Sequence, residues 1–234
     1  MATRAIDFGD GRGDGRGDGR RGRTAAREAP RRYAPAETRT RVLEAAYQLF
    51  ALNGYQGTGT ADIARAANVS EGSIFYHFGS KRALLAELGR LHGEKLVAAM
   101  QGGDALETLD PADVITRCFE FCAMNTTWDA MGGDEECKSG YQKSTGDPEA
   151  EPFFLAAREV TQAWVEQHVT AWNRAHGVAG VDPAIAASLM FAAVGDALHL
   201  AFRLGVTEAE RAHILEQTIR FVKGACMGGH ELTA

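Results

Sequence analysis

The chemistry of the chain is densest between Gly72 and His77. Gly72, Ser73, Phe75, Tyr76 and His77 put a missing side chain, a hydroxyl, two aromatic rings and an imidazole within six residues. Groups of this size read base edges or donate to phosphate, with glycine permitting close approach. Catalytic sets are absent: the sequence contains no G-x-S-x-G, H-E-x-x-H, Walker A or paired zinc motif, so no enzyme activity is expected. Gly17 to Gly22 formally matches G-x-G-x-x-G, but no strand precedes it and no helix follows within its tail, so it carries no dinucleotide reading. Cys118 and Cys122 share a helical face and could take a soft metal with Cys137 as third ligand. Without a Cys-x-x-Cys pair or a nearby histidine they read as structural thiols, and neither metal nor cofactor is expected.

The elements that position these groups are short. Val42, Ala45, Ala46, Leu49 and Phe50 recur at helical spacing, and Asn53-Gly54 stops that helix. Two brief helical stretches follow, Thr60 to Ala67 and Glu71 to Phe78, separated only by Asn68-Val69-Ser70. Counting from Thr60, a helix-turn-helix needs a small residue at position five, a left-handed residue at nine, an apolar plug at ten and a core residue at fifteen. Ala64, Asn68, Val69 and Ile74 supply all four. With Ile74 and Phe78 turned inward, a wheel places Gly72, Ser73 and Tyr76 outward and Phe75 and His77 at the flanks. A two-turn helix showing glycine, hydroxyls and rings to water gains no stability from them. It enters a major groove, or its Tyr76 and His77 cover a neighbouring helix.

Thr58-Gly59-Thr60-Ala61-Asp62-Ile63-Ala64, Val69 through Lys81, and Leu84-Leu85 closely resemble the DNA-binding segment of TetR-family transcriptional regulators. The match is dense over residues 40 to 85, and Gly-x-Ile-x-Tyr-His-Phe-x-Ser-Lys at 72 to 81 is its most specific part. The resemblance implies an all-α homodimer with an N-terminal helix-turn-helix domain followed by a helical ligand-binding and dimerisation domain. It implies that Thr60 contacts phosphate, that Glu71, Gly72 and Ser73 lie nearest the bases, and that Phe75, Tyr76, His77 and Lys81 hold the sugar-phosphate backbone. Phe75 stands where a tyrosine is usual, which removes one hydroxyl, and Gly59 weakens the cap of the preceding helix.

The rest of the chain reads as helical body. Lys81 to Gln101 carries a leucine side, and Val114 to about Ala130 is rich in Cys118, Phe119, Phe121, Cys122, Met124 and Trp128. After a Gly-, Ser- and Asp-containing stretch from Met131 to Pro152, which reads as a mobile gate or a plain surface loop, Phe153 to His176 resumes a helix with Trp164, His168 and Trp172. Phe121, Cys122, Trp128, Trp164 and His168 are candidate pocket residues, against the default of ordinary core. Pro183 to Leu204 and Thr207 to about Met227 form a hairpin whose first helix is apolar around most of its circumference, so it must be covered on both sides. Leu189, Phe191, Leu198, Phe202, Ile214 and Phe221 are candidate dimer contacts, the alternative being a helix central to one subunit.

Charge follows the same division. Residues 1 to 41 carry a net +5, residues 42 to 83 are neutral, and residues 84 to 234 carry −11. Nine of the eleven leading arginines precede Tyr33, in a tail built on three Gly-Asp-Gly-Arg repeats, which reads as disordered and either grips DNA nonspecifically or has no role. The longest apolar run, Ile185 to Leu204, is broken by Asp196, His199 and Arg203, so no membrane anchor is expected. No secretory signal is evident and cysteines are sparse, so the expected compartment is the cytoplasm. The expected organisation is a tail over 1–35, a DNA-binding domain over 36–83, and an effector and dimer domain over 84–234. The expected function is a repressor that binds a palindromic double-stranded operator as a homodimer and is released by an unidentified small molecule. The alternative is a regulator of the same fold that answers to a protein partner or to no ligand.

Overall fold

The computed structural model describes residues 35–124, 150–203 and 205–226. The candidate Trp128 and Cys137, the N-terminal tail and most of the glycine-rich stretch lie outside the described residues. Eight helices and no strand are found among the described residues: α1 (Pro35–Asn53), α2 (Thr60–Ala66), α3 (Glu71–Phe78), α4 (Lys81–Gln101), α5 (Pro111–Met124), α6 (Glu151–His176), α7 (Pro183–Ala201) and α8 (Glu208–Cys226). The architecture is all-α, as expected, with helix boundaries close to those read from periodicity.

Helices α1 to α3 close around Val42, Ala46, Phe50, Ile63 and Ile74, none of which retains solvent exposure. Leu84, Leu85 and Leu88 of α4 join the same cluster, and so does Phe153 of α6, with Phe154 packed against it. Helix α4 therefore runs unbroken across position 83, from the small N-terminal bundle into the body. It meets α6 backbone to backbone. A Cβ on Gly89 would collide with the Phe153 carbonyl, and one on Gly93 would lie 2.8 Å from the Ala157 oxygen, so bare glycine faces set the helix spacing. At its far end Gly102 closes α4 in the left-handed conformation, φ +59°, and the Arg117 guanidinium caps the last carbonyls, 3.2 Å from Met100 O and 2.8 Å from Gln101 O.

The body has two further clusters. Ile115 and Phe119 of α5 pack with Ala197, Ala201 and Val222, while Met100, Leu109, Val114 and Cys118 pack with Trp164. Helix α7 packs inward with Ala186, Ala187, Gly195, Ala197 and Ala201 together with the larger Met190, Val194 and Leu198, and turns Ile185, Leu189 and Leu200 outward. The expectation that α7 is covered on both sides is thus not met within one subunit. By length and composition α7 is apolar enough to cross a membrane, a test that a helix packed in a core also passes. Its inner side, Ala186, Ala187, Gly195, Ala197 and Ala201, packs in the helical bundle.

Candidate nucleic-acid interface

The turn between α2 and α3 is built from backbone requirements. Asn68 is the sole non-glycine residue with positive φ among the described residues, at 52°, as its position in the turn predicted. Val69 N–H donates back to Ala64 O at 3.0 Å. The Arg41 guanidinium reaches over from α1 to the Ala67 and Asn68 carbonyls at 3.3 and 3.4 Å, satisfying acceptors that the end of α2 leaves open. Ser70 then caps α3: its Oγ accepts from Ser73 N–H at 3.2 Å and pairs with the Ser73 hydroxyl at 2.8 Å.

Two buried contacts hold the loop in front of α2. Thr58 is almost fully buried, its hydroxyl within hydrogen-bond distance of Leu49 O (3.0 Å) and Gly54 O (2.8 Å). The Lys81 ammonium donates to Tyr55 O at 2.8 Å and Thr58 O at 2.9 Å and lies 4.1 Å above the Tyr55 ring. Behind α3, Arg39 sits over the Phe78 ring and pairs with Glu87 of α4. Hydrogen bonds from Arg90, then from Arg39, hold the Glu87 carboxyl below its ordinary range.

Supported in this way, α3 presents Glu71, Gly72, Phe75 and Tyr76 together on its exposed side. Tyr76 is 76% exposed and Phe75 47%. The outward face lies one position earlier than the helical wheel placed it. Ser73 is half-buried with its hydroxyl paired to that of Ser70, and Phe75 is not a flank residue but part of the face. His77 is half-buried with its ring edge-on to Tyr76, centroids 5.1 Å apart. Thr60 lies at the same end as Glu71 and donates its hydroxyl to the Glu71 carboxylate. Lys81, read from sequence as a backbone grip, spends two N–H donors inside the fold. Arg41 and Thr58 are supporting residues that sequence reading missed, and Lys81 has a supporting role it did not foresee, because their partners are carbonyls of other elements and leave no local pattern. Gly59 caps α2 with no side-chain bond, as its lack of a hydroxyl implies.

Residues 42–88 match the model of the family described as "Bacterial regulatory proteins, tetR family". The chain is 30% identical over 132 residues to the HTH-type transcriptional regulator LmrA of Bacillus subtilis, covering 55% of this chain and 67% of that relative. The chain belongs to the TetR family. Seven further curated relatives are matched over 26–42% of their own length. The fold is shared along the chain: a TetR-family structure from Syntrophomonas wolfei aligns with TM-score 0.63 at 15% identity, covering 86% of this chain and all of that one. The Bacillus subtilis regulator FadR, solved in complex with stearoyl-CoA, aligns with TM-score 0.55 at 16% identity, covering 81% and 98%. The protein is a DNA-binding transcriptional regulator, and the relatives it resembles are regulators rather than enzymes.

In the regulator's body the pocket candidates do not form one group. Phe121 packs edge-on to His92, centroids 5.4 Å apart. Cys122 is half-buried and hydrogen-bonded to Cys118, which together with burial pushes the Cys118 thiol well up. Trp164 donates to Gln101 Oε1 at 3.2 Å and stacks on His168, whose Nε2 bonds to Leu109 O at 2.8 Å. Burial lowers the His168 pKa, so the ring is held neutral. No metal-ligating cluster occurs among the described residues. The dimer candidates divide too. Leu189 and Phe221 are 67% and 64% exposed, and Phe191 is half-buried with the Arg158 guanidinium over its ring. Leu198, Phe202 and Ile214 pack inside the subunit on Ile115 and Phe119.

Proposed function

We propose that this regulator is a repressor that binds a palindromic operator as a homodimer, places α3 of each subunit in a major groove, and is released when a small molecule binds the helical body. Residues 36–83 act as the reading head and 84–234 as the effector and dimer domain, behind a tail over 1–35. It works in the cytoplasm, without membrane, metal or resident cofactor.

One observation carries the reading: a two-turn helix, capped at Ser70 and braced by Arg41 and Lys81, turns Phe75 and Tyr76 into solvent. Burying the area those rings still expose would be favourable, at roughly 25 cal/mol per Å² of apolar surface, so a face built this way is built for a partner. The outward Ile185, Leu189 and Leu200 of α7, with Phe221 of α8, support dimerisation, since an exposed face of large apolar groups suits a helix that packs on its twin. The aromatic interior of the body, and the acyl-CoA complex of FadR, support a small-molecule effector. By linkage, operator DNA then weakens effector affinity by the factor with which effector weakens DNA binding.

Anisotropy titration against duplexes from the gene's own upstream region, with random DNA as competitor, tests the reading. Wild type should prefer one duplex clearly over random DNA, and Tyr76→Ala should bind that duplex about tenfold more weakly. Equal, weak binding to every duplex by both proteins would reject it.

A further inference from the structure

The exposed side of α3 has two ridges, Glu71 with Phe75 and Gly72 with Tyr76, each pair four residues apart and therefore stacked along the helix. The second ridge is suited to approach: a Cβ on Gly72 would meet only the Ser70 hydroxyl, at 3.9 Å, so backbone can close on a partner there. The first ridge is chemically sharper. The Glu71 carboxylate is aimed by the hydrogen bond it accepts from Thr60, and Phe75 offers an apolar ring with no group that could donate to phosphate.

A carboxylate next to DNA is repelled by phosphate and needs a donor on a base edge. In the major groove cytosine presents its N4 amino group beside a C–H, whereas adenine presents its amino group beside the N7 lone pair, which repels an anion. An apolar ring in the same groove finds the thymine methyl. Resting on the reading of α3 as the groove-entering helix, we infer that Glu71 and Phe75 are its specificity-determining pair, Glu71 accepting from cytosine N4 and Phe75 packing on a thymine methyl. Four residues rise about 6 Å along the helix, close to two base-pair steps of about 3.4 Å. Each operator half-site therefore holds the cytosine and the thymine about two steps apart.

Selection of random duplexes by the full-length protein, followed by anisotropy titration, tests this. Wild type should enrich that cytosine and thymine in both half-sites. Glu71→Gln should replace the enriched cytosine by adenine, because an amide pairs with adenine N6 and N7, and should lose about tenfold per half-site on the wild-type sequence. Deoxyuridine in place of the thymine deletes one methyl and should weaken wild type about fourfold per half-site, while leaving Phe75→Ala indifferent. Both side chains are exposed, so melting temperatures of the variants should match wild type and exclude misfolding. Identical sequences selected by wild type and Glu71→Gln, or an equal uracil effect in Phe75→Ala, would overturn the pair while leaving α3 as the groove helix. A selection that enriches no sequence at all would overturn that parent reading instead.

Discussion

Helices α3 and α7 both turn large apolar side chains into solvent, and they do so in opposite ways. On α3 the exposed rings of Phe75 and Tyr76 stand among Glu71 and Gly72, on eight residues capped at Ser70. On α7 the exposed groups are the aliphatic Ile185, Leu189 and Leu200 on nineteen residues, backed by an inner side of Ala186, Ala187, Gly195, Ala197 and Ala201 with Met190, Val194 and Leu198. A mixed face with a closely approachable glycine suits a partner that is itself polar and charged. A long aliphatic face suits a partner with the same surface. Exposed apolar area alone does not distinguish the two; the residues between and behind it do.

The comparison breaks first at Leu189. A Leu189→Glu substitution, with Phe221→Glu as a second variant, should halve the mass seen in sedimentation. It should also weaken operator binding by about 100-fold or more, since one head alone forfeits the avidity of two. Unchanged mass in both variants would remove the α7 face from the dimer. A smaller effect lies between the two faces, at His92. Burial drives the pKa of this imidazole down to about 4, so the native state keeps it neutral while the unfolded chain charges it near 6.5. The stability it contributes is complete above pH 6.5 and is lost as pH falls toward 4, on the order of 3 kcal/mol over the window. Thermal melts from pH 7.5 to 4.5 should show this loss, with a flatter profile in His92→Phe; parallel profiles would mean another group titrates.

Next comes Tyr76→Ala, which should cost about tenfold in operator affinity through a lost phosphate contact and leave both mass and melting temperature unaltered. A fall in melting temperature would make Tyr76 a packing residue and erase the contrast with α7. The least effect is expected of Ser70→Ala. Loss of the cap should destabilise α3 by about 1 kcal/mol, read as a lower melting temperature and slightly weaker binding to all sequences alike.

What sequence could show follows from what it encodes locally. The turn was legible because Asn68 answers a backbone demand at a fixed offset from Thr60, and it adopts φ 52° there. Helices were legible because their apolar residues recur along single elements. The exposed face of α3 was legible to within one position; Ser73 is half-buried where Glu71 and Phe75 are exposed. Lys81 was not legible at all, because its partners are carbonyls more than twenty residues away. The outward aliphatic face of α7 was hidden for a different reason. A helix apolar around most of its circumference gives periodicity no contrast to read, and only the fold shows that Ile185, Leu189 and Leu200 are the groups left outside.

The seat of Phe153 in the cluster formed by Val42, Phe50, Ile74 and Leu84 also bears on how such a protein can be taken apart. The reading head borrows a core residue made some seventy positions after its own last helix, and it holds that residue against bare glycine backbone at position 89. A fragment ending at 83, or at the end of α4, would have a hole where that ring belongs. During synthesis the head cannot finish its core until α6 has left the ribosome, and a head grafted onto a foreign body inherits the need for an aromatic ring delivered to that socket.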